Sequence, residues 1–184
     1  MTELLTPVCD FGKKAYDFEL KGTDNKIWTL SDCRGEKGLL VMFICNHCPY
    51  VKAILEKLVM ETDVLAMKGI GCVAINPNDY ISFPDDSFEN MAKVSKKHGF
   101  GFPYLIDENQ EIAKKYESIC TPDFFGYNKD LELQYRGRFD DRGIESVINP
   151  NQSDLFKAMF AISRTGKGPT EQQPSIGCSI KWRK

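Results

Sequence analysis

The chain has 184 residues, long enough to bury a core without disulfide or metal staples. Its 42% hydrophobic and 27% charged content is that of a globular protein and excludes the disordered and fibrous classes. With 24 Lys and Arg against 26 Asp and Glu the net charge is −2, which excludes the basic footprint of a nucleic-acid binder and supplies no polybasic run for an anionic membrane.

The start, "MTELLTPVCDFGKKAYDFEL", has no apolar core of the kind a secretory signal needs. "AYDFEL" and "IWTL" read as two short strands joined by a turn at "KGTDNK", where Gly22, Asp24 and Asn25 supply the turn chemistry. "GLLVMFI" (38–44) is an unbroken apolar run, as a central strand buried on both faces requires. It is also far too short to span a bilayer. "CNHCPYVKA" (45–53) follows, and the spacing of Val51, Ile54, Leu55, Leu58 and Leu65 predicts a helix over 49–68, capped by Gly69.

"GIGCVAIN" reads as a second buried strand and "PNDYISFPDDS" as a loop. "FENMAKVSKKHG" reads as a helix with Asp86 or Ser87 near its start and Gly99 at its end. "FPYLID" is a strand and "QEIAKKYES" a short helix. Residues 121–139 look like a β-hairpin turning at Asn128–Asp130, and "QSDLFKAMFAISRTG" is a last helix starting from Ser153 or Asp154. The alternation of strands and helices predicts an α/β fold. We expect one domain over 1–184 with its core at 15–165, and a tail, 166–184, whose apolar end at Ile180 and Trp182 packs back on the body.

Seven cysteines, at 9, 33, 45, 48, 72, 120 and 178, are an odd number at irregular spacings and do not suggest a disulfide framework. They suit a reducing cytoplasm, which is the expected address. Cys72 lies in an apolar run and reads as a core residue, while Cys9 and Cys33 fall in polar stretches expected to be exposed. Cys45 and Cys48 carry the chemistry. Pro49 favours the first helical position because its missing N–H is unpaired there anyway, so Cys48 falls at the N-cap. Unpaired N–H groups and the positive end of the helix then favour its thiolate. Cys45, three residues earlier, is placed to resolve a mixed disulfide formed at Cys48. His47 could tune the thiols, donate a proton, or simply be exposed.

Two longer stretches, "FELKGTDNKIWTLSDCRGEKGLLVMFICNHCP" and "SFENMAKVSKKHGFGFPYLIDENQEIAKKYESICTPDFFGYNKDLEL", resemble the thioredoxin-like redoxin group. That group holds the AhpC/TSA peroxiredoxins and the thiol:disulfide oxidoreductases. With "PSIGCSIKW", the pair "NHCPYVKA" and "CTPDFF" is similar to a peroxiredoxin-like subgroup of it. The resemblance implies a thioredoxin-like fold: a central mixed sheet flanked by helices, with an N-terminal hairpin and a C-terminal helix plus tail. It implies that Thr121–Pro122 lies beside the active sulfurs with Pro122 cis, and that Cys120 comes close to them.

Relative to thioredoxins the motif is displaced. Counting from Phe43, the helix-capping place is taken by Cys48 and the second-cysteine place by Val51, so the attacking cysteine is the second of the pair. Relative to peroxiredoxins, Val41 stands for the motif proline, Cys45 for its threonine, and Pro122 for the active-site arginine. Arg136, Arg138 and Arg142 are candidates to replace that arginine, but they read better as a solvated, charged strand end or loop, and Asp140–Asp141 as turn residues. Cys120 and Cys178 could each be a third relay thiol, could pair with each other, or could be ordinary packing.

The expected function is therefore cytoplasmic thiol–disulfide exchange on a protein or small-molecule disulfide, without a cofactor, re-reduced by a partner such as a thioredoxin. The alternatives are a thiol peroxidase acting through Cys48, and copper or zinc binding by Cys45, His47 and Cys48. The cluster supplies at most three such ligands, which weakens the metal reading.

Overall fold

The computed structural model describes residues 2–144 and 152–184. In chain order these form β1 (Glu3–Leu5), β2 (Glu19–Gly22), β3 (Ile27–Thr29), α1 (Leu30–Cys33), β4 (Gly38–Phe43), α2 (Pro49–Met67), β5 (Ile70–Asn76) and α3 (Phe88–His98). The remainder are β6 (Tyr104–Ile106), α4 (Glu111–Lys115), β7 (Cys120–Thr121), β8 (Asp123–Asn128), β9 (Leu133–Arg136), α5 (Asp154–Thr165) and β10 (Ile176–Ser179). Seven strands make a central mixed sheet in the order β3-β2-β6-β5-β4-β8-β9. The β4–β5 and β5–β6 pairs are parallel and the other pairs antiparallel.

β4 sits inside this sheet with every residue buried. Its side chains alternate between the two faces, as a strand demands. Leu40, Met42 and Ile44 join Leu55, Leu58, Met159 and Ile162 from α2 and α5. Leu39, Val41 and Phe43 join Leu30, Ile112, Tyr116 and Phe125 on the opposite face. An apolar run without alternation is thus explained by helices on both sides of the strand.

The predicted helices begin and end where capping chemistry puts them. Ser87 rather than Asp86 caps α3, and Gly99 ends it in the left-handed conformation at φ 64°. Ser153 caps α5 by accepting from the Phe156 N–H at 2.9 Å. At the N-terminal hairpin the expectation needs adjustment. Its first strand begins at Glu19 rather than Ala15, and Leu30 opens α1 instead of ending a strand. Thr29 and Asp32 form a capping box there, a signal outweighed in the sequence by the β-forming "IWT". The short α1 turns Cys33 into the lower core, so this cysteine is buried and not exposed, and Cys9 is half-buried.

A second, three-stranded sheet, β1-β10-β7, was not foreseen in the sequence. β10 belongs to the tail and pairs antiparallel with β1 on one side and β7 on the other. Gly177 makes the β10–β7 approach possible: a Cβ there would lie 2.3 Å from the Thr121 carbonyl oxygen.

Candidate active site

The loop after β4 delivers Cys45 and Cys48 to the N-terminus of α2. Cys48 is the N-cap, with extended φ/ψ of −66° and 123°, and Pro49 takes the first helical position. Facing them is the β7–β8 junction, where the Thr121–Pro122 peptide is cis. The hydroxyl of Thr121 lies 3.2 Å from Cys45 Sγ, and its carbonyl oxygen 3.1 Å from Cys48 Sγ. A third sulfur, that of Cys178 on β10, stands 2.9 Å from Cys48 Sγ. Cys48 has no exposed surface, Cys45 is 2% exposed and Cys178 also 2%. All seven cysteines are outside disulfide bonds in this structure.

Proximity divides the charge unequally among these thiols. The Cys45 thiol's hydrogen bond is the largest influence on Cys48; burial opposes it, and the Cys178 thiol adds to it. The Val51 N–H at the helix start and the Cys178 N–H contribute less, and the net effect holds the Cys48 thiol down at about 5. No full side-chain capping bond closes, so the neighbouring thiols outweigh the helix terminus that the sequence pointed to. Their stabilisation comes at the donors' expense. Cys45 is pushed well above the ordinary thiol range by its bond to Cys48 and by burial, with Asp86 adding repulsion. Cys178 is pushed up to about 12, by burial first and by Cys48 second. The Thr121 carbonyl suits a protonated Cys48, to which it offers an acceptor, and opposes the thiolate; two thiol donors override it.

His47 does not touch either sulfur of the motif by hydrogen bond. Its Nδ1 lies 2.6 Å from Asp86 Oδ2, and its ring stacks on Phe83 at 5.7 Å with an 11° interplanar angle. Asp86 is buried in the short turn Pro84–Asp86. Burial works against its charge, but His47, the Asn78 amide and the Asn46 N–H hold its carboxyl below the usual range. An ionised carboxylate only accepts, so His47 Nδ1 carries the proton of that bond and Nε2 is left as the second ring nitrogen. Asp86, Asn46 and Asn78 were missed as site residues; the sequence offered Asp86 only as a possible helix cap. Cys45, His47 and Asp86 do present one sulfur, one nitrogen and one oxygen within 4.8 Å of one another. Among the described residues this is the set that could hold a metal, with Asp86 where the sequence suggested Cys48.

Cys120 is buried, but β7 turns it away from the other sulfurs. Cys178 is in register with Thr121, and Ser179 with Cys120. Adjacent strand residues face opposite sides, so Cys178 shares the Thr121 face and Cys120 does not. The Cys120 sulfur contacts the Pro122 carbonyl at 3.8 Å. The register thus sets the Cys178 sulfur beside Cys48.

The arginines also differ from expectation. Arg136 is not solvated; it is 5% exposed, bonds Asp123 at 2.9 Å and the Glu117 carbonyl at 2.8 Å, and lies over the Phe125 ring. Arg138 bonds Asp154 and Arg142 bonds Asp140, each at 2.8 Å. These partners tie the guanidiniums to carboxylates and carbonyls rather than to the Cys48 sulfur.

Known structures share this architecture. An uncharacterized conserved protein from Geobacillus kaustophilus is 41% identical, with 100% of this chain and 97% of that chain aligned at a TM-score of 0.93. A hypothetical protein from Sinorhizobium meliloti 1021 is 38% identical over 97% of this chain and 98% of its own, at a TM-score of 0.92. Peroxidoxin BcpB from Mycobacterium tuberculosis aligns with 84% of this chain and 96% of its own at a TM-score of 0.62; at 15% identity the likeness is one of fold, and that fold is thioredoxin-like. No curated protein matches the sequence. No helix among the described residues is long and apolar enough to cross a membrane. Residues 11–139 match the AhpC/TSA family, a span holding both cysteines of the motif and the cis proline, and the chain belongs to that family.

Proposed function

We propose that the protein is a cytoplasmic thiol–disulfide oxidoreductase in which Cys48 attacks and Cys45 resolves. One observation carries the reading: the sulfur of the helix-capping Cys48 and that of Cys45 both lie against Thr121, 3.1 Å from its carbonyl and 3.2 Å from its hydroxyl, with the Cys48 thiol pushed down and the Cys45 thiol pushed up. The thiolate is the nucleophile in disulfide exchange. Cys48 attacks one sulfur of a substrate disulfide and expels the other as a thiolate. Cys45 then attacks Cys48 Sγ, its proton passing to the departing substrate sulfur, and a Cys45–Cys48 disulfide remains. Two electrons have moved to the substrate. A dithiol reductant of the thioredoxin kind returns them. Thr121 sits against both sulfurs and positions them, and the cis Pro122 turns the chain past the pair. His47, held by Asp86, and Cys120, on the far face of β7, support the loop walls in this scheme and do not exchange electrons.

Disulfide mapping on Cys178→Ser tests the pairing. Oxidised by a redox buffer, this variant is expected to show one two-electron couple and a Cys45–Cys48 linked peptide, and Cys48→Ser to show neither. An oxidised Cys178→Ser protein without that link would sink the assignment of Cys45.

Peroxide reduction at Cys48 is the second reading, and the burial of Cys48 favours it, because a peroxide is small enough to reach a covered sulfur. It predicts fast sulfenic acid formation at Cys48 with micromolar peroxide. With Arg136 and Arg138 tied to carboxylates, we expect instead a rate no greater than that of an ordinary, unassisted thiolate. Trapping the sulfenic acid with a dimedone-type reagent over time distinguishes the two.

A further inference from the structure

We infer that Cys178 is a second redox partner of Cys48, so that the protein forms a Cys48–Cys178 disulfide as well as a Cys45–Cys48 one. The inference rests on Cys48 being the attacking thiolate. The two sulfurs are 2.9 Å apart, and bonding requires them to close by roughly 0.9 Å. Neither is separated from the other by another group, and both are buried. The placement of Cys178 is fixed by the fold. β10 runs antiparallel to β7 with Cys178 opposite Thr121, the residue whose hydroxyl and carbonyl already touch Cys45 and Cys48. Gly177 allows that approach, since any side chain there would collide with the Thr121 carbonyl. The strand is held on its other edge by β1, by the Ser179 N–H donating to Thr2, and beyond it by the Lys181 N–H donating to Asn78.

Cys48 therefore lies among two thiols that come from different parts of the chain: Cys45 from the loop after β4, and Cys178 from the tail. Either can resolve a mixed disulfide on Cys48. In the second route the Cys178 sulfur attacks Cys48 Sγ, its proton goes to the departing substrate thiolate, and the Cys48–Cys178 bond replaces the bond to substrate. Cys45 can next attack Cys48 Sγ of that bond, giving its proton to Cys178 and leaving Cys45–Cys48. The exchange conserves the two electrons already transferred. A Cys48–Cys178 bond joins β10 covalently to the start of α2, whereas a Cys45–Cys48 bond leaves that strand held by its backbone hydrogen bonds.

Oxidised glutathione, in small excess over full-length protein, tests the pairing. After acid quenching, Cys45→Ser is expected to release two glutathiones per chain, retain none, and yield a Cys48–Cys178 linked peptide. Cys45→Ser/Cys178→Ser is expected to stop with one glutathione on Cys48. A persistent Cys48–glutathione adduct in both variants overturns the Cys178 pairing while leaving Cys48 as the attacking thiol. Absence of any adduct or link at Cys48 in both overturns the proposed function and this inference together. Wild-type protein oxidised briefly and trapped in acid gives the same test without substitution: the Cys48–Cys178 peptide is expected beside the Cys45–Cys48 one, and its complete absence at every time point counts against the inference.

Discussion

Asp123→Ala is expected to lower the free energy of unfolding by about 3–5 kcal/mol, the loss measured when one partner of a buried ion pair is removed. The carboxylate is fully buried directly after the cis Pro122, and accepts from Arg136 Nη2 at 2.9 Å and the Ser118 hydroxyl at 3.1 Å. Burial pushes its carboxyl up; the guanidinium and the hydroxyl pull against that. With the carboxylate gone, the Arg136 guanidinium keeps the Glu117 carbonyl and the Phe125 face but stays buried without a counter-charge. That uncompensated charge is the main cost. Exposed pairs set the contrast: Glu89→Ala removes the Lys93 contact on α3, where both side chains are largely in water, and is expected to cost under about 0.5 kcal/mol. Urea unfolding of the two variants measures the difference. A loss at Asp123 no greater than that at Glu89 would show the pair to be energetically idle. Asp123→Leu/Arg136→Leu is expected to recover much of the stability lost in Asp123→Ala, because it removes both charges from the interior.

This pair also shows where sequence reasoning stops. Arg136 and Asp123 lie 13 positions apart on adjacent strands, and nothing local marks either as buried. The alternation of β8 and β9 predicted a hairpin, but the direction of its charged end depends on what covers it: the Glu117 carbonyl, the Gln172 side chain and the Phe125 ring, contributed by separate segments. Local signals did better. Pro49 after Cys48 located the helix start, and the unbroken run 38–44 located the central strand. β1 and β7 escaped notice because two or three residues carry no periodicity, and their pairing partner is the distant β10. The same long-range pairing brings Cys178 beside Cys48 across 130 positions of sequence. Asp86 escaped for a related reason: its role depends on Asn46 and His47, which only the fold brings to it.

The reduced protein is expected to show a thiolate titration with a midpoint near 5, in place of the ordinary thiol value of 9. At neutral pH such a shift raises the thiolate fraction of Cys48 by about a hundredfold over a free cysteine. Ultraviolet thiolate absorbance reads this directly and needs no reagent to reach a sulfur without exposed surface. The transition should vanish in Cys48→Ser. It should move upward in Cys45→Ala, which removes the strongest donor, and by less in Cys178→Ala. A midpoint in the ordinary thiol range, or one indifferent to Cys45, would contradict the assignment of the charge to Cys48. Stability must follow the same protons. Cys48 is depressed in the folded state, so its contribution is fully present above about 9 and is lost as pH falls through about 5. Cys178 is raised, so its contribution is present below about 9 and is lost as pH rises toward about 12. Cys45, also raised, follows Cys178 in sign. The thiol cluster thus stabilises the reduced protein most between these limits, near pH 9. Forming a disulfide at Cys48 removes the thiolate and its donor bonds together, so the contribution of these thiols to the slope of stability between pH 5 and pH 9 is present in the reduced protein and absent in the oxidised one.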